Sequence, residues 1–136
     1  MWMRVVGAVA VLVSAFVHLY LWVEVFRGQP VVGPAFLLNV AAGVVIAALL
    51  LLWRSSWVPG FLTAGFGVCT LGSFVVAATV GLFGVHEHWR GWAVWTAAGA
   101  EVVAIVAGVL VMLAALPARS DRQVQHGPAV RGAHLH

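Results

Sequence analysis

Apolar residues run almost unbroken from Val5 to Val23, Ala35 to Trp53, Phe61 to Phe83 and Trp92 to Leu116, in stretches of 19 to 25 residues. A helix rising 1.5 Å per residue needs about 20 such residues to cross a hydrocarbon core ~30 Å thick. The pattern predicts four transmembrane helices over about 5–24, 34–53, 60–84 and 91–116, in one domain covering 1–116. The breaks between them carry turn and interface residues: Gly28, Pro30, Gly33 and Pro34, then Ser55, Ser56, Pro59 and Gly60, then His86 to Gly91, then Pro117. The seven tryptophans, Trp2, Trp22, Trp53, Trp57, Trp89, Trp92 and Trp95, fall at or near span ends, where amphipathic rings collect at the headgroup level. The opening Met-Trp-Met-Arg is followed at once by the first apolar run and has no clean A-x-A site after it, so it reads as an uncleaved first span.

The expected fold is all-α: a polytopic membrane protein with an up-down bundle of two hairpins. Arg4, Arg54, Arg119, Arg122 and Arg131 fall on the side shared by both termini, against Arg27 and Arg90 on the other. The positive-inside rule then places both termini in the cytoplasm of a bacterial cytoplasmic membrane. Residues 117–136 are polar and punctuated by Pro and Gly, which predicts a disordered cytoplasmic tail; its His126, His134 and His136 are too loosely spaced to read as a metal tract. A faint repeat, Glu-x-x-Arg-Gly at Glu24 and again at Glu87, sits in both outer loops at an offset of 63 residues. It fits a parallel duplication, and equally the habit of Glu and Arg to sit at membrane surfaces.

Composition narrows the function. Hydrophobic residues make up 63% of the 136 and charged residues 8%, against roughly a quarter charged in soluble domains, so the lipid bilayer is the expected partner. The seven positive charges are all arginines at loop ends, and no nucleic-acid surface is implied. Cys69 is the single cysteine, which excludes an internal disulfide, a CxxC redox pair and a thiolate metal cage.

The candidate chemistry centres on Glu101, nine residues inside the run that starts at Trp92. A carboxyl at that depth costs several kcal/mol unless it is protonated, paired or wetted, so it marks a functional site by default. Small residues mark helix contacts in membranes, and Ala97, Glu101, Ala104, Gly108 and Ala115 follow one helical face. The same spacing picks out Gly7, Ser14 and His18 in the first span, Ala35, Asn39, Ala42, Gly43 and Ala47 in the second, and Gly65, Cys69, Gly72, Ser73 and Val76 in the third. By depth, His18 and Asn39 lie six residues in from Glu24 and Gly33, ~9 Å below the outer surface. Glu101 and Ser73 lie a turn or more deeper, with Thr79 and Thr96 expected at the outer level. The predicted site is an outward-facing pocket with Glu101 at its floor, His18, Asn39 and Ser73 on its walls, and His86, Glu87 and His88 at its rim.

Two readings follow. In one, the chain is a non-enzymatic accessory or assembly subunit, or a self-associating bundle. Its interior polar groups then only fix packing, at ~0.6 to 2 kcal/mol per interhelical hydrogen bond; the sequence carries no nucleophile with a base, no phosphate loop and no metal motif of fixed spacing. In the other, the pocket takes a ligand, a divalent transition metal or a proton. His18, His86, His88 and Glu101 or Glu87 offer nitrogen and oxygen donors suited to zinc, copper or iron, and a carboxyl and an imidazole can relay protons. Haem is not expected, because His18 is the only histidine inside a span.

The segment His18-Leu19-Tyr20-Leu21-Trp22, with Arg27 and then Gly33-Pro34-Ala35-Phe36-Leu37-Leu38-Asn39, and Gly81-Leu82-Phe83-Gly84 before the last loop, resembles a family of small four-helix bacterial membrane proteins. That resemblance implies the four-helix topology and brings no activity. Asn39 and the run Leu62-Thr63-Ala64-Gly65-Phe66 with Thr70, Ser73 and Phe74 are also similar to fluoride channels of four short spans. That family's Thr-Thr-Phe-Ser-Thr helix break and first-span arginine are absent here, and the arginine bias opposes its dual topology.

Overall fold

The computed structural model describes residues 1–81 and 90–116. It is all-helical among them: α1 (Trp2–Leu21), running on through a π-helical turn (Trp22–Phe26), then α2 (Val32–Leu52), α3 (Val58–Thr79) and α4 (Trp92–Ala115). Each of the four, α1 counted with its π turn, is long and apolar enough to cross a membrane. Pro34 and Pro59 fall in the first turns of α2 and α3, where a missing N–H breaks no helical bond. The third helix stops at Thr79, short of the expected 84, and Gly81 follows with φ 82°, a left-handed conformation that favours glycine. The tail beyond 116 and the His86, Glu87 and His88 rim lie outside the described residues.

At the α1–α2 turn, Phe26 is buried on Phe36, with ring centroids 4.6 Å apart, and Arg27 sits over the Trp22 ring at 5.5 Å. Gly33 is required there, since a Cβ on it would come within 2.6 Å of the Phe26 carbonyl oxygen.

The opposite end is held by Arg4, which the sequence had offered only as a topology charge. Its guanidinium donates to the carbonyls of Leu50 and Trp53 at the end of α2, and to those of Arg54 and Ser56 in the turn, at 3.0 to 3.4 Å. These include carbonyls that the end of a helix leaves without intrahelical donors. Ser56 Oγ in turn accepts the Val58 N–H as α3 starts.

Packing follows the small residues. Gly7 of α1 faces Leu50 of α2 and Ala107 of α4, and Gly43 of α2 lies against Ala15 and the Val11 carbonyl. Gly60 and Gly67 of α3 press on α4 at Gly108 and at the Glu101 carbonyl. Rising numbers on α1 meet falling numbers on α4: Gly7 with Ala107, Ser14 with Glu101, Tyr20 with Trp92. The expected stripes hold in α1, where Gly7, Ser14 and His18 are buried, and in α4, where Ala97, Glu101, Ala104 and Gly108 are buried and Ala115 half-buried; in α2 the stripe holds in part, with Gly43 and Ala47 buried, Asn39 and Ala42 half-buried and Ala35 exposed.

The stripe expected of α3 is a correction. Cys69, Gly72, Ser73 and Val76 are exposed, and neither Gly65 nor Gly72 has a neighbour within 4 Å of where a Cβ would stand. The face that packs is Gly60, Thr63 and Gly67, roughly half a turn away at 3.6 residues per turn. Both faces of α3 are made of small and apolar residues, so spacing alone could not rank them.

Consequently α1 and α4 form a central pair, with α2 leaning on α1 and α3 on α4. Where α2 and α3 meet, contact rests on Ile46 and Phe66 in the core and on one hydrogen bond from Asn39 to Thr70. Elsewhere between them a cleft remains.

Candidate functional site

Each helix places one or more polar side chains at a common level. Ser14 and His18 are one turn apart on α1; Asn39 lies one turn beyond Phe36 on α2; Thr70 is one turn beyond Phe66 on α3; Glu101 is one turn beyond Ala97 on α4. Helical spacing within each element therefore keeps each group on the side that faces its neighbours.

Ser14 ties the first and last helices together. Its hydroxyl donates to Glu101 Oε1 at 3.3 Å, and His18 Nδ1 donates to the Ser14 carbonyl at 2.8 Å while lying 3.4 Å from Ser14 Oγ. A carbonyl can only accept, so Nδ1 carries a proton, and in the neutral form of the ring Nε2 keeps a lone pair. Ser14 is fully buried, Glu101 is 2% exposed and His18 9%. The His18 ring lies against Phe36, 5.0 Å between centroids, which brings α2 into the same layer. Two titratable groups and a bridging hydroxyl are thus gathered between the helices.

On the facing wall, Thr70 Oγ1 spends its single proton on the Phe66 carbonyl at 2.7 Å, so it can only accept from Asn39. Asn39 Nδ2 makes that bond at 2.9 Å. The orientation of the amide is thereby fixed, and Asn39 Oδ1 is left buried without a partner. Leaving a buried acceptor unmet costs about 1–3 kcal/mol.

Among the described residues, the cleft between α2 and α3 has a volume of about 1130 Å³, and His18, Asn39, Ser73 and Glu101 all line it. The four candidate residues therefore share one cavity, whose walls are otherwise mostly apolar and aromatic, with Phe36, Phe66 and Trp92 among them. Ser73 stands apart from the hydrogen-bonded layer, for its hydroxyl turns back to the Cys69 carbonyl at 2.7 Å. Glu24 and Arg90, both exposed, stand at the rim.

Thr79 and Thr96 do not join the site. Thr79 is exposed and donates to the Val75 carbonyl, and Thr96 lies in a separate groove with Trp2 and Val9. Among the described residues no three His, Cys, Asp or Glu side chains gather closely enough to hold a metal. Of the proposed metal set, His18 and Glu101 share the layer through Ser14, whereas His86 and His88 lie outside the described residues.

No family model, curated protein or solved structure matches the chain. Geometry alone must carry the function.

Sequence reasoning passed over Ser14 and Thr70 as site residues. Ser14 was within reach: it is four residues from His18 on the same stripe, one turn deeper, at the level reckoned for Glu101. Thr70 carried no such signal, because it lies off the stripe that spacing selected in α3.

Proposed function

We propose that this chain is a small, non-enzymatic integral membrane protein that binds a largely apolar small molecule in the cleft between α2 and α3, with the ligand's polar end at His18, Glu101 and Asn39. Its helices cross the bilayer as an up-down bundle, with both termini cytoplasmic on the arginine count. The observation that carries the reading is the cleft itself. A bundle whose polar groups serve packing alone has no need of an open space of about 1130 Å³ beside them.

The volume of about 1130 Å³ lies just above the range of about 300 to 1,000 Å³ typical of small-molecule sites. The cleft gives the ligand reading a feature that assembly or self-association lacks. Its apolar walls suit a ligand that arrives from the lipid, and its polar layer supplies orientation.

The test is native mass spectrometry of protein released from its own membrane in mild detergent. A retained small molecule is expected on the wild type and not on Gly65→Phe, which places a ring in the cleft at a position with no neighbour within 4 Å. Equal retention on both proteins, or none on either, would remove the reading.

A further inference from the structure

The buried polar layer of the cleft has spent its hydroxyl and imidazole Nδ1 protons and kept several acceptors. Ser14 gives its hydroxyl proton to Glu101, His18 gives Nδ1–H to the Ser14 carbonyl, Thr70 gives its proton to the Phe66 carbonyl, and Ser73 gives its own to the Cys69 carbonyl. The Asn39 amide nitrogen is engaged by Thr70. The acceptors that remain in this layer are His18 Nε2 of the neutral ring, the second carboxyl oxygen of Glu101, and Asn39 Oδ1, buried and unmet; the second Asn39 N–H stands beside them, and the donors of Tyr20 and Trp92 belong to exposed residues of the lining. A ligand that brings another acceptor, such as a ketone, ester or carboxylate, finds only the second Asn39 N–H in this layer and would set its lone pairs against three others.

We infer that the ligand is a lipophilic amine, bound as its ammonium with the N–H groups directed at Glu101, His18 and Asn39 and the hydrocarbon portion along the apolar cleft. The inference rests on the cleft being a binding site and adds the class of molecule that it takes. Three features converge on a cationic donor. An ammonium offers up to three N–H groups and no acceptor, which matches three acceptors contributed by three different helices. Glu101 supplies the charge, and hydrogen bonds between ionised partners are about twice as strong as neutral ones. The lining adds to this, since Phe36, Phe66 and Trp92 are aromatic, and ring faces attract cations within about 6 Å. Nothing in the described part of the cleft opposes a cation at depth. Arg90 is its one arginine, and it is exposed.

The test is equilibrium dialysis of the protein in lipid nanodiscs, with empty nanodiscs as the blank, against octylammonium, octyltrimethylammonium, octanol and methyl octanoate. Octylammonium is expected to bind at least about tenfold more tightly than each of the other three. Glu101→Gln should abolish that preference while leaving the weak binding of octanol intact. Asn39→Leu, which removes the orphaned acceptor without touching the acid, should lower octylammonium affinity several-fold and octanol affinity little, so the inference stays testable if the acid variant fails to fold. Methyl octanoate or octanol binding as tightly as octylammonium would overturn the ammonium assignment, and octyltrimethylammonium doing so would overturn the donor role. If all four probes bind alike and Gly65→Phe excludes them all, the ligand class is wrong while the cleft reading stands. If none binds, or Gly65→Phe excludes none, both fall together.

Discussion

Gly65 and Gly67 lie two residues apart in the same helix, and replacing each by alanine makes the same chemical change with opposite expected results. In a helix interior alanine is favoured over glycine by about 0.5–1 kcal/mol. At Gly65 a Cβ meets nothing within 4 Å, so that gain is expected in full. At Gly67 the Cβ would stand 2.6 Å from the Glu101 carbonyl oxygen and 2.8 Å from Ile105 Cγ1, where ordinary contact begins at 3.4 Å. Backbone cannot yield as a side-chain tip can, so α3 must move off α4 by much of that shortfall. Overpacking of this kind costs about 1–3 kcal/mol, which leaves Gly67→Ala destabilised by about 1–2 kcal/mol and separates the two variants by about 2 kcal/mol. Because one or two kcal/mol is a factor of about 5–30 in the folding equilibrium, reversible unfolding in mixed micelles of increasing SDS fraction resolves it. Two variants of equal stability, or Gly65→Ala as the weaker one, would mean that α3 packs through its other face. The cleft would then lose one wall.

Three further outcomes are expected. Arg4→Leu strips four carbonyls at the α2–α3 turn of their donor and should cost roughly 1–2 kcal/mol in the same unfolding assay, with Arg4→Lys recovering only part, because a compact ammonium cannot span the positions that a guanidinium fork reaches. Ser14→Ala breaks the bridge between His18 and Glu101 and should lower stability by about 0.6–2 kcal/mol, as for other interhelical hydrogen bonds in membranes; an unchanged unfolding midpoint would show the bridge to be without consequence. Glu101→Gln should keep the fold, since an amide can still accept from Ser14, whereas Glu101→Ala opens a void beside Ser14 and should cost roughly 1–3 kcal/mol along with the bound ligand. Identical thermal stability and ligand content in wild type, Glu101→Gln and Glu101→Ala would dismiss the site.

What the sequence determined by itself is the number of helices and most of the breaks between them. An apolar run of some 20 residues has few alternatives to a helix when no water is present to satisfy its backbone, and Gly33, Pro34, Pro59 and Gly60 punctuate it for reasons local to the chain, whereas the end of α3 at Thr79 came earlier than the apolar run announced. The inward faces of α1 and α4 were equally legible, because each carries a titratable group that lipid would reject, His18 and Glu101, and that group fixes the orientation of its helix. The tertiary structure decided which side of α3 packs, that Arg4 holds the α2–α3 turn, and that α2 and α3 stand apart around a cleft. In α3 glycines lie on both sides and the polar hydroxyls are satisfied by their own helix, so no residue prefers lipid or interior strongly enough to announce its face. A cleft is a gap between helices that each pack on a different neighbour, and spacing along one chain segment carries no information about a space between two.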